Sequence, residues 1–283
     1  MEGSRGKAVL FALTAVLFWA TWPVFAMIAV PAPPFFVLAA AAWIGFALSG
    51  TIFTLRGRSR DFLRTPLSTQ ITVTAGLLGT NGFFLFAMPR IGAAEANVIA
   101  FLWPILLILI MSWLGGARLT GLQKAGVVAG FAGAALAIGP SFGKGFDPGG
   151  IFMAFLGGLS FAVYSAIRVR GRELYDVVGP SLGLLALAAT GLHLLTETRV
   201  PLEWSQWLAI VGIGVFSLNL SNGSWDRATR TGQLATISSI AYLTPLVSLM
   251  LLAAFGVGIV TASATAGGIL VVCGALMASV PRT

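Results

Sequence analysis

The chain has 283 residues with a formal net charge of +8, and 57% of them are hydrophobic against 9% charged. A soluble domain of this length covers its surface with about a quarter of its residues charged, so soluble globular architecture is excluded. The apolar runs are each about 20 residues long, the length at which a helix crosses the hydrocarbon of a bilayer.

Ten apolar segments follow in chain order, near 8–29, 34–55, 70–88, 94–114, 121–139, 149–167, 178–195, 205–224, 232–254 and 262–280. The fold class is therefore an all-α membrane protein of ten transmembrane helices. The first segment follows Arg5 and Lys7 like a signal peptide, but its apolar run exceeds a signal core and lacks a small-x-small close. It is expected to be retained. It carries Trp19 and Trp22 deep in the span, where an indole N–H needs a partner. An interior position is therefore favoured over lipid.

The third span carries Asn81, either a cavity donor or an interhelical bond. In the fourth, Asn97, Phe101 and Pro104 share one helix face, with Trp103 beside the proline. Glu95 stands at the start of this span. The helix dipole or Arg90 is expected to hold it ionised near water, against the default functional reading of a buried carboxylate. Gly126, Gly130 and Gly133 make a small-residue face on the fifth span, mirrored by Gly267 and Gly274 on the tenth, so these two spans are expected to pack together. The sixth span offers Ser160 and Tyr164. The seventh ends near the sole histidine, His193, read as an interfacial residue rather than a proton relay. Trp204 and Trp207 suit interfacial anchors at the start of the eighth, which also holds Asn219. In the ninth, Ser238, Tyr242 and Pro245 repeat the face of the fourth. The single cysteine, Cys273, can form neither an internal disulfide nor a thiol metal site.

Basic residues set the orientation. With the N-terminus in the cytoplasm, alternate loops place Arg5, Lys7, Arg56, Arg58, Arg60, Arg64, Arg118, Lys124, Arg168, Arg170, Arg172, Arg227, Arg230 and Arg282 inside. Only Arg90, Lys144 and Arg199 fall outside. Both termini are expected in the cytoplasm of an inner, plasma-type membrane. The same clustering assigns the positive charge to topology, and no nucleic-acid partner is expected.

The halves repeat at an offset of 141 residues: Pro104 with Pro245, Gly126 with Gly267, Gly133 with Gly274, Pro140 with Pro281. Ala100, Leu102, Thr120 and Ala134 match Ala241, Leu243, Thr261 and Ala275. Residues 1–141 and 142–283 are thus expected to be two five-helix repeats. Five is odd, so the second runs inverted, as in many secondary transporters whose halves enclose a midplane site.

The stretch Ile91-Gly-Ala-Ala-Glu-Ala-Asn-Val-Ile-Ala-Phe-Leu-Trp-Pro104, with Gly126 and Gly133 after it and Ser238-Ser-Ile-Ala-Tyr-Leu-Thr-Pro245 as its counterpart, resembles a known family. The ten-span, five-plus-five arrangement is similar to the drug/metabolite transporter superfamily, in its EamA-type branch, and most like the YddG-like amino-acid exporters. Such exporters often carry Asn-Tyr where this chain has Ala100 and Phe101. The resemblance implies export of amino acids by alternating access.

Competing functions lack their residues. An intramembrane enzyme needs an acid pair, a Ser–His or Ser–Lys dyad, or metal ligands such as H-E-x-x-H, and the span cores are read as free of Asp. A channel needs charged rings or a carbonyl filter. Phosphorylated solutes would call for Lys or Arg in a span interior. Rings, hydroxyls and amides suit a small neutral or zwitterionic solute, with Trp19, Trp22, Asn81, Asn97, Phe101, Trp103, Ser160, Tyr164, Ser238 and Tyr242 as candidate contacts. Amino acids fit, aromatic or apolar ones first. Other amphipathic metabolites or drugs fit too, and a channel remains open as an alternative. No cofactor is expected, and a monomer in the lipid bilayer is expected to suffice.

Overall fold

The computed structural model describes residues 2–116, 118–139, 147–170, 177–231, 237 and 240–280. Among them every regular element is helical. Eight helices are long and apolar enough to cross a membrane, and two shorter apolar ones are Thr244–Phe255 and Ala262–Ala278. Ser238, Pro140, Pro281, Lys144, Arg172 and Arg282 lie outside the described residues.

The first span is α1 (Glu2–Ala20) followed by α2 (Trp22–Ala29), and α3 (Pro34–Leu55) leads through the short α4 (Ser59–Leu63) to α5 (Leu67–Ile91). Next come α6 (Ala93–Ala100), α7 (Trp103–Leu114), α8 (Gly121–Ile138), α9 (Pro148–Arg170) and α10 (Val178–Thr196). The eighth span is built of α11 (Trp204–Gly212), a π-helical segment (Ile213–Leu220) and α12 (Ser221–Thr231). The ninth and tenth spans contribute α13 (Thr244–Phe255) and α14 (Ala262–Ala278). Large apolar side chains stand exposed on many helices, among them Trp113, Val128, Leu195 and Met250. Their surroundings in a membrane are lipid tails, so that exposure costs nothing there.

Two boundaries differ from the sequence reading. The third span is a helix from Leu67 to Ile91, longer than 70–88, because Pro89 falls in its last turn and does not stop it. The eighth apolar span continues to Ala228 rather than ending near 224. It thereby takes in Asp226, which is buried. The expectation of Asp-free spans is corrected here: the polar run Ser221 to Asp226 looks like a loop by hydropathy, yet it continues the helix.

The chain divides into two compact units, Met1–Leu78 with Gly171–Ile237, and Gly79–Arg170 with Ser238–Thr283. In the first, α3 packs on α10 and on the π-helical segment. A Cβ at Gly214 would lie 2.5 Å from the Ala41 carbonyl, so the backbones meet where only glycine fits. Asn219 of the π-helical segment donates through Nδ2 to the Gly45 carbonyl at 2.6 Å and to Ser49 Oγ at 2.7 Å. Asn219 is thus interhelical glue, one of the two roles its sequence left open.

At the other end of α3, consecutive prolines start the helix. Pro34 has no N–H, so the first free donors are Phe35 and Phe36. Both donate to the Glu197 carboxylate, at 2.8 and 3.0 Å. His193 Nδ1 lies 2.9 Å from Glu197 Oε2, and its ring meets the edge of Phe36 at 5.2 Å. A carboxylate at a helix N-terminus is favoured by the dipole, and here it also ties α3 to α10. His193 is buried and serves this clasp. Trp207 and Trp204 are partly and largely exposed, as anchors at a span end would be.

In the second unit, α8 and α14 meet along their glycines. A Cβ at Gly126 would sit 2.5 Å from the Gly274 carbonyl, and one at Gly133 2.7 Å from the Gly267 carbonyl. Shifted by 141 residues, the first contact becomes the second. The helix starts repeat likewise. Thr120 Oγ1 accepts from Gln123 N–H at 3.2 Å, and Thr261 Oγ1 from Ala264 N–H at 3.0 Å. The packing of the fifth on the tenth span is as the glycine faces indicate.

Glu197→Ala strands two backbone donors and the histidine, and is expected to cost about 2–4 kcal/mol. Thermal unfolding in detergent should show a lower Tm for this variant, with Glu197→Gln in between because an amide oxygen still accepts. Identical melting of all three proteins would remove the clasp from the account.

Candidate functional site

Three spans are interrupted just ahead of a proline. Pro23, Pro104 and Pro245 each lack an N–H and release the carbonyl four residues earlier. In the first span α1 ends at Ala20, and Thr21 N–H turns back to the Phe18 carbonyl at 3.3 Å. In the fourth, Leu102 N–H bonds the Ile99 carbonyl at 3.0 Å before Trp103-Pro104 restarts the helix. In the ninth, Leu243 N–H bonds the Ile240 carbonyl at 3.1 Å before Thr244-Pro245. The face drawn through Asn97, Phe101 and Pro104 is therefore not one continuous helix. The chain turns at Phe101 and Leu102.

Within the second unit the released carbonyls are managed differently. Ala241 O accepts from Thr244 Oγ1 at 2.7 Å. Ala100 O is approached by Gly158 of α9, where a Cβ would lie 2.6 Å from the oxygen. Asn97 Nδ2 donates to Ser248 Oγ at 2.7 Å, and that hydroxyl donates to the Pro245 carbonyl at 3.1 Å. Asn97 thus couples α6 to α13.

Beside the fourth-span break, rings gather. Trp103 meets Phe161 edge-on at 4.8 Å, and Phe161 meets Tyr164 at 5.5 Å. Trp103, Tyr164 and Tyr242 are all buried, at 6%, 8% and 3% exposure, so none is a lipid-facing anchor. Phe101 and Ser160 are half-buried. Ser160 Oγ donates to the Leu156 carbonyl at 2.8 Å and fits beneath Gly79 of α5. Asn81 is buried in the same unit.

The first unit has its own ring cluster. Trp19 lies 5.2 Å from Trp225, and Phe216 from the π-helical segment lies 5.2 Å from Phe18 and 6.3 Å from Phe25. Trp22 is buried. Thr21 Oγ1 donates to the Phe18 carbonyl at 2.7 Å and lies 3.2 Å from Ser217 Oγ. π-helical turns inside α-helices recur at functional sites, and this one carries Phe216, Ser217 and Asn219 to the first-span break.

The sequence reading did not select Phe161, Phe216, Ser217, Trp225 or Asp226. Phe161 was legible as the ring one turn before Tyr164. The others sit on a span whose π register cannot be read from a 3.6-residue period.

Glu95 is corrected. Its carboxyl is buried at 8% exposure rather than held in water. It folds back over Gly92, and Thr261 Oγ1 points to Oε1 at 3.5 Å. The Arg90 guanidinium instead lies against Gly149, where a Cβ would stand 3.1 Å from Nη1. Gly92, at φ 94°, makes the turn that lets α6 begin this close to Glu95.

Residues 6–139 match the EamA-like transporter family. Over 282 residues, 98% of each chain, the sequence is 31% identical to the aromatic amino acid exporter YddG of Ancylobacter novellus. A solved crystal structure superposes with a TM-score of 0.76 at 29% identity, covering 97% of this chain and 96% of its own. The chain is a multi-pass membrane transporter. It belongs to the EamA-like transporter family and is YddG-like.

Proposed function

We propose that this protein exports small neutral or zwitterionic metabolites, amino acids with aromatic or apolar side chains first among them, by alternating access. The observation that carries this reading is the buried ring cluster of Trp103, Phe161 and Tyr164 set against the break at Phe101 and Leu102. A break in a span presents what a zwitterion needs. The α7 N-terminus offers a positive dipole end to a carboxylate, and unwound carbonyls suit an ammonium group. The rings take the apolar side chain. The relative's printed substrate, aromatic amino acids, agrees with this chemistry.

The solute-facing groups in this reading are Trp103, Phe101, Tyr164, Ser160 and Asn81 with Tyr242, and Trp19 and Trp22 of the first span, with Ser238 on the face of Tyr242. Asn97 acts through its bond to Ser248. Ten spans in two inverted repeats, 1–141 and 142–283, supply the two-state scaffold. Support comes from the turns, caps and glycine contacts that recur at an offset of 141 residues. The repeats exchange inward and outward exposure, and one monomer is the working unit.

Purified protein in liposomes should show counterflow of labelled phenylalanine. Trp103→Ala and Tyr242→Ala should each slow it about tenfold or more, the loss of one buried ring contact worth about 1.5 kcal/mol. Trp113→Ala, on an 81% exposed side chain, should stay within about twofold by the same scale. Full counterflow in the first two variants, or aggregation of both in detergent, removes these rings from the pathway.

Both termini are placed in the cytoplasm on the balance of basic residues. An impermeant thiol reagent on intact cells should then label a cysteine at Thr198 and spare one at Ser59, once Cys273 is replaced. The opposite pattern reverses the orientation.

A further inference from the structure

Outside the ring clusters, arginines gather on the connection between α3 and α5. Arg56, Arg58, Arg60 and Arg64 are all exposed, and Asp61 is the one carboxylate between them. Arg58 Nε pairs with Asp61 Oδ2 at 2.8 Å, and Arg64 Nη1 lies 3.8 Å from Oδ1. Among the described residues no carboxylate pairs with Arg56 or Arg60. The segment carries a clear excess of positive charge.

It is also held in place. Phe62 of α4 is buried against Phe46 and Phe53, each at 5.4 Å, and the Arg58 guanidinium lies over Phe53 at 5.8 Å. Gln70 Nε2 donates to the Thr65 carbonyl at 2.9 Å and fixes the return into α5. Between these anchors Gly57, Arg58, Ser59, Arg60, Asp61 and Arg64 line a concavity of about 490 Å³. That is within the range of small-molecule sites.

Its depth follows from its neighbours. Leu55, directly before the first arginine, is 82% exposed, and Leu67, at the start of α5, is 65% exposed. Two large apolar side chains turned outward at the ends of spans mark the edge of the hydrocarbon, so the arginines stand at the level of lipid headgroups.

We propose that this concavity binds the phosphate of an anionic phospholipid. Guanidinium groups match a phosphate through paired N–H donors, and Arg56, Arg60 and Arg64 are the cations available for it. A lipid is the favoured occupant because its acyl chains lie along Leu55 and Leu67 while its phosphate is fixed at the depth of the arginines. A free anion gains nothing from those leucines, and a soluble acidic protein would have to reach the bilayer surface.

The test uses full-length protein in a neutral detergent, titrated with phosphatidylglycerol, phosphatidylcholine or inorganic phosphate while Tm is followed. Phosphatidylglycerol should raise Tm at concentrations where phosphatidylcholine and phosphate do not. At about tenfold to be expected from each or two of the arginines, the triple variant R56Q/R60Q/R64Q should weaken the apparent affinity about a hundredfold. R56K/R60K/R64K should keep most of it. Melting of both variants in phosphatidylcholine should match the parent, since none of the three arginines packs in the bundle. An equal response to the two lipids overturns the proposal. So does unchanged phosphatidylglycerol affinity in R56Q/R60Q/R64Q, or equal protection by inorganic phosphate. If the glutamine variant does not fold, the lipid comparison on the parent and the lysine variant decides by the same criteria.

Discussion

In hydrocarbon there is no water to take up a stray backbone group, so each break in a helix must be answered from within the protein. This chain breaks three of its spans ahead of prolines, and the rest of the structure is arranged around those breaks. The Ala241 carbonyl finds the hydroxyl of Thr244. The Ala100 carbonyl has Gly158 drawn up against it. At the first break the Phe18 carbonyl takes Thr21 and faces Ser217, and the span that brings Ser217 there is itself wound as a π-helix. An unbroken helix would need none of these. Keeping three breaks in one chain of this size points to a use for exposed backbone polarity inside the membrane.

The few ionisable groups follow the same logic. Glu197 takes the orphan donors of a helix that two prolines begin, and brings His193 with it. Glu95 sits in the first turn of α6, folded over a glycine and met by Thr261 from the start of the tenth span. Asp226 is buried at the end of the eighth. The arginines, by contrast, are spread at a span end where they meet headgroups. Acidic groups go inward to helix ends and basic groups outward to the lipid surface.

Much of this was legible in the sequence. Apolar runs gave the spans, Trp-Pro at residues 22–23 and 103–104 marked two breaks, and glycines at 126, 133, 267 and 274 marked the tight helix pair. These signals are local, because proline and glycine act on their own backbone. What escaped was long-range or off-period. Glu197 reaches its donors across some 160 residues of sequence, and nothing near it spells a cap. The π-helical segment shifts which side chains face the first-span break, so Phe216 and Ser217 were passed over. Ser221 to Asp226 read as a loop by hydropathy, although its polar groups find partners in the helix: Asn222 Nδ2 donates to the Leu218 carbonyl at 2.9 Å. Glu95 was misjudged because distance from a span end does not report burial by a neighbouring helix.

The central claim is that a solute is bound beside the proline break of the fourth span. Fluorine NMR of protein labelled with 5-fluorotryptophan tests it most directly, with the resonances of Trp103 and Trp113 assigned by Trp→Phe substitution. Adding phenylalanine to the protein in detergent should shift or broaden the Trp103 line and leave the lipid-facing Trp113 line in place. A transported solute that leaves Trp103 unmoved, or that moves only the exposed indoles, would contradict the account.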